Sequence, residues 1–274
     1  MRLIARIMTF ALAIGVAAAT QPGHAQQPTT DPRVADIVRA GNLRVGLGLG
    51  VLMQAVKNPT TGELRGAALE LSRALAARIG VRLVTVEYPR PGAVLDGLRT
   101  NAWDVSFLVV DPARREAVEF SHTFLQSDLT YLVGPGSRIH SVADADQSGI
   151  RIAVPRGDGS DLYLTRTLKN AELIRTDSHA AAVNLVRTGG ADGKASPRFV
   201  RVPEALGAPG TRVLDGGFAE ISYAAVVPKD QAARLAYVND FVEDAKASGL
   251  VSRIIDSLGL QGVRVAPVEK QSPR

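Results

Sequence analysis

Val105-Ser106-Phe107-Leu108-Val109-Val110, followed at once by Asp111-Pro112-Ala113-Arg114, is the stretch on which the fold turns. Five of its first six residues are apolar. A run that continuous does not suit a strand with one wet face. It suits a strand covered by helices on both sides. Asp-Pro then breaks the run and opens a turn, so Arg114 leaves the sheet on a loop.

Strand and helix signals alternate outward from this run. Upstream, residues 43–47 read as a strand. Residues 67–79 carry Leu71, Leu75 and Ile79 at i, i+4 and i+8, an amphipathic helix, with Gly80 at the C-terminal cap. Residues 81–86 read as a strand and 93–99 as a short helix. Downstream, a strand over 129–133 ends at the breaker Gly134-Pro135-Gly136-Ser137. The pattern then restarts, with strands at 150–154, 173–174, 211–214 and 221–227 and helices at 161–169 and 178–187. Pro228 closes the last strand, and helices follow over 231–246 and 251–258. This alternation predicts an α/β fold with parallel sheets and helices on both faces. The breaks near Gly134-Pro135 and Pro228 divide the chain into two α/β lobes. Residues 26–133 with 228–274 form lobe one, and 134–227 form an inserted lobe two. Two crossing strands are left as a hinge.

The first 25 residues read as a secretory signal peptide. Arg2 and Arg6 precede an apolar run over 7–19, and Gly23-His24-Ala25 supplies the small residues of a cleavage site, so cleavage is expected after Ala25. The apolar run is shorter than the ~20 residues a membrane span needs. The chain has no cysteine, which excludes lipobox lipidation, disulfides, zinc-thiolate sites and thiol catalysis. A free, monomeric periplasmic protein is expected, its lead-in over 26–32 polar and flexible.

The net charge of +5 falls to +3 once the two signal arginines are removed. The remaining cations are scattered, without a run or an interleaved aromatic ladder, so no nucleic-acid partner is expected. Cofactor motifs fail as well. Gly46-x-Gly48-x-Gly50 lacks the third glycine of a dinucleotide loop in either register, and Gly193-Lys194 lacks the Ser/Thr and first glycine of a P-loop. There is no G-x-S-x-G. His122, His140 and His179 have no metal-ligand spacing. No cofactor and no metal are expected.

Five short pieces together resemble a known family. Gly41-Asn42-Leu43-Arg44-Val45-Gly46 resembles its opening strand. Gly66-Ala67-Ala68-Leu69-Glu70-Leu71, with Arg78-Ile79-Gly80-Val81, resembles G-F-x-x-D-L then L-G. Trp103-Asp104-Val105 resembles the strand before the binding loop. Asp111-Pro112-Ala113-Arg114 with Glu119-Phe120-Ser121 resembles T-x-x-R…F-S, and residues 157–162 resemble G-S-x-x-x-L. The family is the type 3 (polar amino acid) solute-binding proteins of bacterial ABC importers, and the resemblance covers about residues 34–266. It implies a periplasmic-binding-protein-like fold and a receptor that hands a small carboxylate-bearing solute to a membrane permease. A periplasmic dehydratase or lyase on the same fold is the alternative, with Glu70, Asp111 or Asp158 as its general acid. A sensory module that docks on a membrane kinase is a third.

The expected site is built around Arg114. Its planar fork suits a carboxylate, and the resemblance implies that this arginine holds the ligand's α-carboxylate. Val109, at the end of the preceding strand, is placed beside it. Asp111 stands where the family has threonine. It either meets a ligand ammonium, orients Arg114 or caps the turn. Asp158, Gly159 and Ser160 lie at a helix start whose amides favour an anion, and Asp158 or Ser160 alternatively only caps that helix. Asp158 replaces a hydroxyl residue of the family. Pro197, with Ser196 beside it, occupies the position of the family's ammonium-binding aspartate. Leu49, Val51 and Met53 offer an apolar first loop where the family often has an aromatic residue. The carboxylate grip is retained and the usual ammonium grip is not, so ordinary L-α-amino acids are expected to bind weakly.

Overall fold

A computed structural model describes residues 27–199 and 209–269. The signal peptide expected over 1–25 lies outside the described residues. Among the described residues no helix is long and apolar enough to cross a membrane.

In chain order the first lobe begins with α1 (Ala35–Ala40), β1 (Asn42–Gly48), a small hairpin of β2 (Val56–Lys57) and β3 (Leu64–Arg65), α2 (Ala67–Ile79), β4 (Arg82–Tyr88) and β5 (Val105–Val109). A 3₁₀ segment, Pro91–Thr100, stands where a short helix is expected. α2 has the bounds its periodicity predicts. Leu71, Leu75 and Ile79 are buried, and Gly80 caps the helix at φ 80°. A side chain at Gly80 would run into Pro28, and the amide of Thr29 donates to Ile79 O at 2.8 Å. The lead-in that looked flexible is therefore pinned to the end of α2. All five residues of β5 are buried, as its apolar run requires.

β6 (Val118–Val133) then crosses to the second lobe, which holds β7 (Arg151–Pro155), α3 (Gly159–Thr167), β8 (Glu172–Thr176), α4 (His179–Arg187), β9 (Gly193–Pro197) and β10 (Arg212–Val213). β11 (Ala219–Pro228) crosses back. α5 (Ala232–Ala247), α6 (Leu250–Leu258) and β12 (Val263–Val265) finish lobe one.

The strands form one sheet in the order β4-β1-β5-β11-β6-β9-β7-β8. β1 is parallel to β4 and β5, and β7 is parallel to β8 and β9. The parallel expectation fails in the middle. β11 is antiparallel to β5 and β6, and β6 to β9. The reason is the crossing itself: one strand must leave lobe one and another must return. β6 starts well before the strand expected at 129. Its polar residues Glu119, Ser121, His122 and Gln126 conceal it, because this stretch pairs along a partly open ribbon instead of lying between two helix layers. From Leu129 onward β6 already pairs with β9. The breaks at Gly134 and Pro228 are thus strand ends, and the lobes exchange inside the strands. β9 receives no strand assignment from the sequence, yet all five of its residues are buried. Gly193, Ala195 and Ser196 are too small to give an apolar pattern.

Helices α2, α5 and α6 cover the main core of lobe one, with Leu43, Val45, Leu47 and Phe107 beneath them. Lobe two has its own core of Tyr131, Val133, Ile152, Val154 and Leu164. A third cluster forms around Trp103 with Val94, Leu108, Val118 and Val226. The Trp103 indole Nε1 donates to Val94 O at 2.9 Å. Trp103→Ala should destabilise the protein by about 3–5 kcal/mol, the usual cost of emptying a packed aromatic site. Val268→Ala, at a residue 52% exposed, should stay within about 0.5 kcal/mol. Urea unfolding of the two variants measures both.

Candidate functional site

The carboxyl ends of β1 and β5 and the loop after β1 face the turns of lobe two across a cleft, the usual place for a ligand in open α/β sheets. Between them lies a narrow cavity of about 30 Å³. Lobe one contributes Val51, Met53, Gln54, Pro91, Val109 and Arg114 to its wall. Asp158, Gly159, His179 and Pro197 come from lobe two, with Tyr223 and Phe199 completing the wall. The buried amide of Gln54 fixes the first loop. Its Oε1 accepts from the amide of Gly48, and its Nε2 donates to Phe107 O.

Arg114 follows β5 on the 3₁₀ turn Pro112–Glu116. Asp111 caps that turn by accepting from the amide of Ala113 at 2.9 Å. The guanidinium is only 3% exposed. Its Nη1 donates to Val109 O at 2.9 Å in lobe one, and its Nη2 donates to Gly157 O at 2.7 Å in lobe two. A guanidinium has five N–H donors, so three remain. Burial pushes its pKa down, while the charges of Asp158 and Asp111 oppose that shift. An arginine stays protonated in such surroundings, leaving a dry cation on the cavity wall.

Opposite it, lobe two presents a second polar group. Asp158 precedes α3 and is buried, but its side chain makes no cap hydrogen bond. Its Oδ2 lies 2.6 Å from Nε2 of His179, the first residue of α4, although out of line for a hydrogen bond. Asp158 also acts electrostatically on Lys194 of β9, whose ammonium pKa burial pulls down to about 8. On the crossing strand β11, burial raises the Tyr223 hydroxyl well above its ordinary range.

The structure sorts the expected residues. Arg114, Val109, Asp158 and Gly159 share the cavity wall with Val51 and Met53. Asp111 does not line it. Asp111 caps its turn and pairs through Oδ2 with Nη1 of Arg166 on α3 at 2.7 Å. Ser160 lies just behind Gly159, buried and without a hydrogen-bond partner. Ser196 is enclosed in β9 opposite Thr130. Leu49 lines a neighbouring pocket with Pro89, Arg90 and His179. Glu70 pairs with Arg73 on the surface of α2, and His122 pairs with Glu243 of α5, so neither reaches the cavity. Gln54, His179, Phe199 and Tyr223 are wall residues that sequence reasoning missed. Tyr223 and Phe199 meet edge to face at 6.0 Å and supply the aromatic surface that the first loop lacks.

The lobes touch at the cleft mouth. Arg90 Nε donates to Arg156 O at 3.0 Å, and the Asp111–Arg166 pair spans the same gap. Gly92 lies against Gly157, so that a Cβ on Gly92 would come within 2.9 Å of Gly157 O.

Known proteins are similar to this chain in sequence and fold. The glutamine-binding protein of Geobacillus stearothermophilus is 23% identical over 192 residues, which is 68% of this chain and 72% of that protein. A solved binding component of an ABC transporter from Wolinella succinogenes, complexed with lysine, is 25% identical with a TM-score of 0.71, over 79% of this chain and 95% of that one. The ancestral amino acid-binding protein AncCDT-1, a precursor of cyclohexadienyl dehydratase, has the same TM-score at 23% identity, over 82% of this chain and 98% of its own. At that identity the likeness is one of fold, two α/β lobes on a shared two-strand hinge. Residues 51–259, well over half of the chain, match a single family description. The chain belongs to the bacterial extracellular solute-binding proteins, family 3.

Proposed function

We propose that this chain is the receptor of an ABC importer, binding a small carboxylate-bearing solute, an amino acid or related organic acid, by hinge closure. One observation carries the reading. A fully buried guanidinium with three free donors stands on the wall of a cavity between two lobes. A carboxylate is the partner that such a group lacks. The solute docks against Arg114 and Val109 on lobe one, and lobe two brings Asp158 and Gly159 over it. The bond from Arg114 to Gly157 couples the two events, because the same side chain holds solute and lobe two. The closed pair of lobes is then the surface a membrane permease recognises. The names of the curated relatives, which are binding proteins, support a receptor without catalysis. Export as a monomer, with cleavage after Ala25, completes the proposal. Intact-mass measurement of the exported protein should give a chain that begins at Gln26.

Arg114→Ala should lower affinity for the best solute by roughly 30-fold to several-thousand-fold, as expected when one partner of a buried charged pair is removed. Arg115→Ala should not, because Arg115 lies over the ring of Phe120, away from the cavity. Calorimetry on the two variants separates them, and equal losses would contradict the assignment of Arg114.

Closure gives a second test. Gly92→Val places a side chain against the backbone of Gly157. Overpacking of that kind costs about 1–3 kcal/mol, equivalent to roughly 5- to 150-fold in affinity. The clash exists only when the lobes meet, so the melting temperature of the solute-free protein should be nearly unchanged. Scattering that shows the same solute-induced compaction in variant and parent would refute closure at this contact.

A further inference from the structure

Lys194 sits in the middle of β9 with no exposed surface, and its Nζ has no hydrogen-bond partner among the described residues. Neighbouring strands β6 and β7 enclose it on both sides. It is not alone in this condition. Asp158 Oδ1, Ser160 Oγ and His179 Nδ1 are buried and without a hydrogen-bond partner as well, and His179 Nε2 has only its 2.6 Å ion-pair contact with Asp158 Oδ2. Among the described residues the only others are Glu119 Oε2 and Arg234 Nε. Folded proteins leave few buried polar atoms unpaired. Here they gather from β9, the start of α3 and the start of α4. Asp158 and His179 line the cavity, Ser160 follows the lining residue Gly159, and Lys194 is electrostatically tied to Asp158. This is the pattern of a site waiting for a polar group.

The charge count says which kind. Arg114 and Asp158 are the charged residues on the cavity wall, and Lys194 stands behind Asp158. Burial brings its ammonium pKa down only to about 8, so it is still protonated at neutral pH. Two cations, Arg114 on the wall and Lys194 behind it, therefore stand against the single wall carboxylate of Asp158 in a region that closure dries. A neutral solute leaves one positive charge uncompensated, and a basic solute adds another. Desolvated charge without a partner is strongly disfavoured.

We propose that the solute carries net negative charge, with one acid group on Arg114 and a second acidic group accepting hydrogen bonds at the Lys194–His179–Ser160 cluster, so that basic amino acids are excluded. The proposal rests on the receptor reading and names its substrate class. Asp158 takes no share in holding the second group. It fixes His179 and offsets part of the cationic charge, which limits the site to small acids and leaves room for an amine when the solute has one.

Matched pairs test it. Calorimetry at neutral pH on the mature protein compares succinate with succinamate and L-glutamate with L-glutamine, partners of nearly one shape that differ by one charge. L-arginine and L-lysine are run beside them. The acid of at least one pair should bind at least about tenfold more tightly than its amide, with no binding of the two basic amino acids. Lys194→Met keeps the length of the side chain and removes its charge, so the acid-to-amide ratio should fall to about threefold or less. Equal binding of acid and amide, or tighter binding of an amide or a basic amino acid, overturns the charge proposal and leaves the receptor reading standing. An undiminished ratio in Lys194→Met overturns the part given to Lys194. If none of the six solutes binds, the charge proposal falls and the receptor reading stands. The ratios measured on the parent protein decide the matter even if Lys194→Met does not fold.

Discussion

A guanidinium buried between two backbone carbonyls, one from each lobe, is the constraint that organises this molecule. Arg114 donates to Val109 O at the end of β5 and to Gly157 O in the turn before α3. Neither acceptor carries a charge, and among the described residues no carboxylate is hydrogen-bonded to the guanidinium. The lobes can meet without a solute, but they then enclose a cation that only distant aspartates compensate. A solute acid relieves that cost only where the lobes close over it. Differential stabilisation of that kind lets a ligand shift a conformational equilibrium. Gly157 permits the contact by adopting φ 74°, a left-handed conformation that glycine takes without penalty.

The other links across the cleft are of a different order. The Asp111–Arg166 pair joins a half-exposed guanidinium to a buried carboxylate, with side chains 45% and 5% exposed. Its role is alignment. Asp111 holds the turn that carries Arg114 through Ala113 and steadies α3 through Arg166. Asp111 thus positions the turn that carries Arg114. The short contact between Gly92 and Gly157 complements this, since it brings two backbones together where any side chain would hold them apart.

The sequence was most legible where burial is uniform or strictly periodic. β5 and α2 follow directly from an apolar run and from apolar residues one turn apart. Arg114 was accessible because Asp-Pro after a buried strand projects the next residues out of the sheet. The rest fails for identifiable reasons. β6 carries polar residues because several of them are bound by the polar face of α5, His122 by Asn239 and Glu243 and the Thr123 carbonyl by Lys246. β9 hides a buried lysine among glycine, alanine and serine, a composition that gives no strand signal. His179 stood out in the sequence only as one of three histidines without metal-ligand spacing. Its nearness to Asp158 depends on two helix starts converging from separate strands, which no local pattern encodes. Tyr223 likewise looks like one more buried strand residue until β11 is set beside β5. Local structure was written locally, and the polar half of the site was written in the tertiary arrangement.

The same crossing strands have a consequence for how the chain is made. β5 ends at Val109, but its partner β11 begins only at Ala219, and strands β7, β8 and β9 are all synthesised in between. Those three pair with one another over short sequence separations, so lobe two can assemble most of its sheet early. Lobe one must close a long loop first, a step that is slow because chain entropy is lost before the pairing rewards it. In that interval β5 presents a bare, largely apolar edge, the type of surface on which nascent chains stick to one another. The insertion that becomes a hinge in the finished protein is a waiting time in the growing one, and it falls on the strand least able to stand exposed.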